Sequence, residues 1–163
     1  MWKEYFGPQS HIYGVDIQAA CKVYEDERTR VFIGDQADRR FWRDFRKQVP
    51  QIDILIDDGG HQPEQQIVTL EEMLPYIKAG GVYLCEDVHG VHNRFAAYIY
   101  GITDALNALE HRPAEHFASN TSSFQRYIYT VHFYPFVIVI EKAQYSVTYF
   151  VAPKHGTEWQ AFR

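Results

Sequence analysis

Four short apolar runs, each closed by an acid, recur through the first half of the chain and constrain its fold more than any other feature. They are residues 12–17 (IYGVDI), 30–35 (RVFIGD), 51–57 (QIDILID) and 81–87 (GVYLCED). Their acids Asp16, Asp35, Asp57 and Glu86 follow one another at intervals of 19, 22 and 29 residues. Short runs rich in β-branched residues read as strands. Intervals of this length leave room for a crossover, which parallel neighbours need and hairpins do not. The intervening segments supply the crossovers. Residues 37–49 bring Phe41, Phe45 and Val49 onto one helical face. Residues 63–78 set Ile67, Leu70, Leu74 and Ile77 at helical spacing, with Pro63 near the start and Gly80-Gly81 just past the end. Residues 18–25 are expected to form one or two turns. The pattern predicts an α/β fold with a parallel sheet under covering helices.

After Asp87 the pattern changes. Residues 92–109 read as a helix and 113–125 as a polar loop. Residues 127–133 and 136–142 flank Tyr134-Pro135 as an antiparallel hairpin, 144–151 form a further strand candidate, and 152–163 read as a tail. No repeat or linker interrupts the chain, so a single domain over 1–163 is expected. The 13 Val and 13 Ile against 6 Leu favour a sheet over a helical bundle. A net charge of −5 argues against a nonspecific nucleic-acid or anionic-membrane binder. No apolar run approaches the ~20 residues of a membrane span. The opening MWKEYFGP lacks the apolar centre of a signal peptide. Cys21 and Cys85 make no disulfide framework. A cytoplasmic protein is the expectation.

In open parallel sheets ligands bind beyond the carboxyl ends of the strands, and here all four ends carry carboxylates. A single strand-end Asp most often caps the next helix. Four gathered at one edge repel one another unless a cation or a donor-rich ligand joins them. The densest group is Asp57-Asp58-Gly59-Gly60-His61 with Glu86-Asp87. If the third and fourth strands are neighbours, Asp58, Glu86 and Asp87 converge from adjoining loops, and an all-oxygen set suits a hard cation such as Mg²⁺ or Ca²⁺. His61 is placed to take a proton from a hydroxyl that such a cation acidifies. His89 and His92 flank the same loop as ordinary loop residues or substrate contacts. Nucleophile-elbow, phosphate-loop and zinc-protease motifs are absent from the sequence.

The segments WKEYFGP (2–8), IYGVDI (12–17), VFIGDQ (31–36), IDDGGH (56–61) and Glu86-Asp87, in that order, resemble the macrolide-sugar O-methyltransferases of the macrocin and mycinamicin type over about residues 1–142. The resemblance implies a Rossmann-like class I methyltransferase sheet with a C-terminal antiparallel hairpin. It also implies S-adenosylmethionine and Mg²⁺ as cofactors, and methyl transfer to a hydroxyl of a small, glycosylated or phenolic substrate. By position, Asp16 would bind the cofactor ribose, Asp35 and Gln36 would lie by the adenine, and Asp57 near the methionine portion. Asp58, Glu86 and Asp87 would be the magnesium ligands and His61 the general base. The family's first strand and glycine-rich loop have no counterpart here. That strand lies mid-sheet, so its neighbours are expected to show unpaired edges: either the chain is a truncated product, or the gap is filled by a partner chain, a swap, or residues 144–151. The alternative from another class is a non-catalytic methyltransferase-like module acting as a homo-oligomeric scaffold, to which the Tyr- and Phe-rich stretch 124–150 would contribute an interface.

Overall fold

The computed structural model describes residues 1–90, 92–106, 119–120, 123–146 and 149–150. A single turn of helix, α1 (Trp2–Tyr5), leads into β1 (Ile12–Asp16), a 3-10 segment at Ala19–Tyr24 and β2 (Thr29–Ile33). There follow α2 (Arg39–Arg46), β3 (Ile52–Asp57), α3 (Pro63–Met73) with a 3-10 turn at Leu74–Tyr76, β4 (Ile77–Cys85) and α4 (Arg94–Leu106). The remaining elements are β5 (Ser119–Asn120), α5 (Ser123–Tyr127), β6 (Ile128–Tyr134), β7 (Val137–Lys142) and β8 (Tyr149–Phe150). The predicted α/β alternation is present, and so is the hairpin, β6 pairing antiparallel with β7 about Pro135-Phe136.

The strands fall into separate sheets. β1 runs parallel to β2, with Ile12 opposite Thr29 and Asp16 opposite Ile33. β3 runs parallel to β4 and ends with Asp57 opposite Cys85, and the sheet continues antiparallel in the order β3-β4-β7-β6. No strand among the described residues joins β1 to β3, as the resemblance implies. Both pairs nevertheless share one core. Tyr13 and Val15 of β1, and Ile52 and Leu55 of β3, pack on the same cluster of Phe32, Trp42, Phe45, Val49 and Met73. The backbone alternation identifies the open edges. The Ile12 N–H donates to Arg28 and the Asp16 carbonyl accepts from Gly34, so even-numbered β1 residues face β2. Tyr13 and Val15 therefore turn their backbone groups away. The Asp57 carbonyl accepts from Glu86 N–H, so Ile54 and Ile56 of β3 likewise present unpaired groups. The strand candidate at 144–151 does not fill this gap in the described residues, where Tyr149–Phe150 pairs with Ser119–Asn120.

Local chemistry explains the elements and two departures from expectation. α2 is capped by Asp38, whose carboxylate accepts from Arg40 N–H at 2.8 Å. Its aromatic face stacks edge-on, with Phe32 4.8 Å and Trp42 5.5 Å from the Phe45 ring centre. Gly34 is required here because a Cβ would overlap the Phe41 ring. α3 begins at Pro63, where a missing N–H costs nothing. It stops at Met73 rather than continuing to 78, because Pro75 cannot donate and the chain narrows to a 3-10 turn. Ile77, expected on the helix, is instead the first residue of β4, and Gly80-Gly81 lie within that strand. Gly81 permits the close approach at the irregular β3–β4 register, since a Cβ there would meet the Asp53 carbonyl. The second departure lies in the expected loop at 113–125, whose described part holds β5 and the start of α5. The helix expected over 92–109 is seen as Arg94–Leu106, and 107–109 lie outside the described residues, as do 113–118 and the tail at 152–163. The larger core joins α3, α4, β4 and β7 through Leu70, Tyr83, Cys85, Phe95, Ile99 and Ile140. No helix among the described residues is long and apolar enough to cross a membrane.

Candidate active site

Parallel pairing puts the carboxyl ends of β1 and β2 at one edge, and those of β3 and β4 at one edge. A single side chain ties the two edges together. Gln36, just beyond β2, donates through Nε2 to Asp57 Oδ1 at 3.0 Å and to Thr69 Oγ1 at 3.2 Å. Its Oε1 accepts from Gly60 N–H at 2.7 Å. The Trp42 indole in turn donates to the Gln36 carbonyl at 2.8 Å. The aromatic core therefore fixes the residue that joins the strand ends.

Asp57 is buried, and its second oxygen accepts from Tyr83 Oη at 3.1 Å. Burial raises its pKa, and the Gln36 and Tyr83 hydrogen bonds work against that rise. Tyr83 is itself fully buried, and desolvation followed by the Asp57 charge drives its phenol well above the ordinary value. Nothing in the sequence pattern singled out Tyr83. The available signal was the period of two along β4, which turns Tyr83 and Cys85 to the same, buried face.

On the other side of the turn, Asp58, His61 and Asp87 bring one ligand atom each to within 4.8 Å of one another. His61 Nε2 lies 3.6 Å from Asp87 Oδ2. His61 and Asp87 both hold the left-handed backbone conformation, at φ 55° and 52°. Such strain in a non-glycine residue persists only where the surroundings enforce it, and it gathers at functional sites. His61 Nδ1 is buried without a hydrogen-bond partner, which leaves Nε2 as the nitrogen turned to the cluster. The structure thus brings together Asp58, Asp87 and His61. Glu86 stands outside that grouping: its N–H donates to the Asp57 carbonyl, and its own carbonyl accepts from the buried Gln66 Nε2 at 3.4 Å. Two carboxylates beside open solvent fit the habit of Mg²⁺, which binds one or two carboxylates and keeps several waters.

Asp16 and Asp35 stand at the ends of the other pair. Asp16 accepts from Gln18 N–H at 2.7 Å. That bond, followed by the Cys21 thiol, holds its carboxyl below the usual range, as suits an anionic acceptor for hydroxyl groups. Asp35 is exposed and accepts from Ala37 N–H at 2.8 Å. The loop carrying Asp87 is fastened to the β6–β7 turn, with Val88 N–H donating to the Phe136 carbonyl at 2.9 Å and His89 meeting the Phe136 ring edge-on. His92 is exposed.

No family model matches the chain. Among curated proteins it is 27% identical over 159 residues to an 8-demethyl-8-alpha-L-rhamnosyl tetracenomycin-C 2'-O-methyltransferase of Streptomyces olivaceus, covering 87% of this chain and 40% of that protein. It is 35% identical over 88 residues to the mycinamicin VI 2''-O-methyltransferase of Micromonospora griseorubida, covering 54% and 22%. Demethylmacrocin O-methyltransferase of Streptomyces fradiae matches at 33% over 88 residues, with 54% and 22% covered. Among solved structures, MycE methyltransferase from the mycinamycin biosynthetic pathway, in complex with Mg and SAH, superposes with a TM-score of 0.73 at 26% identity. That match covers 87% of this chain and 39% of MycE. The chain spans about two fifths or less of the length of these relatives. In sequence and in fold it is a homologue of the macrolide-sugar O-methyltransferases.

Proposed function

We propose that this chain carries the cation and cofactor edge of an S-adenosylmethionine-dependent, Mg²⁺-assisted O-methyltransferase acting on a hydroxyl of a small glycosylated substrate. The observation that carries the reading is the convergence of Asp58, His61 and Asp87 at the ends of β3 and β4. Its support is the homology to sugar O-methyltransferases and to MycE, a structure holding Mg and SAH. Asp58 and Asp87 would hold the cation, with Glu86 completing the acidic loop. A bound Mg²⁺ would fix the acceptor oxygens and lower the pKa of the reacting hydroxyl, and S-adenosylmethionine would supply the electrophilic methyl.

Within that frame the chain's own residues have separable tasks. His61 accepts the hydroxyl proton at Nε2, the nitrogen that lies 3.6 Å from Asp87, while Nδ1 is buried. Loss of that proton to His61 would leave the oxygen able to take the methyl that bound S-adenosylmethionine would supply, its sulfur leaving as the thioether. Asp16 accepts the ribose hydroxyls, Asp35 and Gln36 lie on the adenine side, and Asp57 lies toward the methionine portion. Most of the rate then comes from positioning and from charge placed before the reaction begins.

The test is transfer of labelled methyl from S-adenosylmethionine to a rhamnoside bearing free ring hydroxyls, with Mg²⁺ and with EDTA. Transfer abolished by EDTA and by His61→Ala supports the reading. Transfer that survives both overturns it. The second reading, a non-catalytic module completed by other copies of the chain, is favoured by the open edges of β1 and β3. A monodisperse monomer in light scattering would exclude it.

A further inference from the structure

We propose that Gln36 is a positioning residue for the His61 side of the cation cluster, acting through the Gly59-Gly60 turn and the Asp57 carboxylate. This rests on the reading of Asp58 and Asp87, beside His61, as a divalent-cation site.

The argument begins with where its contacts fall. One side chain holds Asp57 through Nε2 and Gly60 N–H through Oε1, so it brackets Asp58 from both sides and ends next to His61. Its Nε2 also reaches Thr69 on α3, and its backbone carbonyl is held by Trp42. The bracket is therefore anchored on a helix and on the aromatic core as well as on the turn. Gly59 makes room for it, and Gly60 makes room for Gln65 beside it. A Cβ on Gly59 would overlap the Gln36 amide, and one on Gly60 would overlap the Gln65 amide, which accepts from Gln62 N–H at 3.2 Å.

The strained residue follows at once. His61 sits at φ 55°, a conformation unfavourable for a non-glycine residue that must be imposed from outside. The Gly60 N–H bond to Gln36 fixes the Gly59–Gly60 peptide, one peptide ahead of the His61 N–H. The chemistry also specifies the residue type. The turn offers only a donor at Gly60 and the strand end only an acceptor at Asp57, and a neutral amide satisfies both at once. A glutamate at position 36 would face the Asp57 carboxylate with a second one. A pair of changes restores the match: in Gln36→Glu with Asp57→Asn, the new carboxylate accepts both from Gly60 N–H and from the side-chain amide introduced at position 57.

The experiment measures Mn²⁺ affinity by electron paramagnetic resonance. It uses the unaltered chain, Gln36→Ala, Gln36→Glu, Asp57→Asn, the Gln36→Glu/Asp57→Asn pair and Asp58→Asn. Amide exchange at Gly60 and the urea midpoint are followed alongside. Loss of a group that orients metal ligands typically lowers affinity about 10–100-fold. That loss is expected in Gln36→Ala and Gln36→Glu, with faster exchange at Gly60, and most of the affinity should return in the paired variant. Unchanged Mn²⁺ affinity in both single Gln36 variants overturns the bracket while leaving the cation site standing. Failure of the pair to bind better than Gln36→Glu overturns it too. If Gln36→Ala does not fold, the Gln36→Glu and paired chains decide. An unaltered chain that binds no Mn²⁺, or binds it equally after Asp58→Asn, overturns the cation site and the proposal with it.

Discussion

Replacing Tyr83 by phenylalanine removes one oxygen from the interior and leaves the ring in place. Tyr83 is 0% exposed and its hydroxyl lies 3.1 Å from Asp57 Oδ2, within a site where Asp57 is only 6% exposed. The loss is therefore a hydrogen bond to a buried carboxylate with no cavity term of consequence. Hydrogen bonds to charged groups contribute about 1.5–3 kcal/mol. With a urea slope of about 2 kcal/mol/M, the unfolding midpoint should fall by about 1 M. Equilibrium unfolding followed by tryptophan fluorescence reads this directly, because Trp42 is buried in the aromatic cluster. A double-mutant cycle with Asp57→Asn isolates the pair. In the Asp57→Asn background the cost of Tyr83→Phe should drop toward the ~1 kcal/mol of a neutral hydrogen bond. A loss below ~0.5 kcal/mol, the size of an indifferent surface change, would refute the reasoning.

Other outcomes follow from the same structure. In hydrogen exchange, the amides of Tyr13, Val15, Ile54 and Ile56 on the open edges should exchange faster than those of Gly14 and Leu55, and equal protection would contradict the divided sheet. Gly34→Ala should lower stability by about 1–3 kcal/mol in thermal unfolding, because its Cβ overlaps the Phe41 ring. Lys142 is buried and donates to the carbonyls of Pro75 and Ile77, and burial lowers its pKa from 10.5. A depressed folded pKa means that its contribution is complete above 10.5 and is lost as pH falls through the lower, folded value. Stability relative to Lys142→Met should therefore rise as pH climbs toward 10.5, and a pH-independent difference would show that the amine is not desolvated.

The strand ends were legible because each carries an acid at the close of a β-branched run, and parallel pairing needs only the spacing between runs. The adjacency of β3 and β4, which the convergence of Asp58 and Asp87 required, is present. The start of β4 was hidden by a coincidence: Ile77 lies three residues after Leu74 and so mimics a helical position, whereas Pro75 had already ended the helix. The Tyr83–Asp57 contact depends on cross-strand register, which no single run reveals. The membership of the cation cluster depends on two left-handed non-glycine residues, His61 and Asp87. In the structure His61 joins Asp58 and Asp87, while Glu86, expected among the ligands, lies outside that group.

Whether Asp58 and Asp87 hold a divalent cation beside His61 is tested most directly by titrating the chain with Mn²⁺ and observing the imidazole resonances in NMR. The account expects the His61 ring signals to broaden first and at the lowest Mn²⁺ concentration. Excess Mg²⁺ should reverse the effect, and Asp58→Asn with Asp87→Asn should abolish it. Broadening spread evenly over the histidines, or unchanged in the double variant, would contradict it.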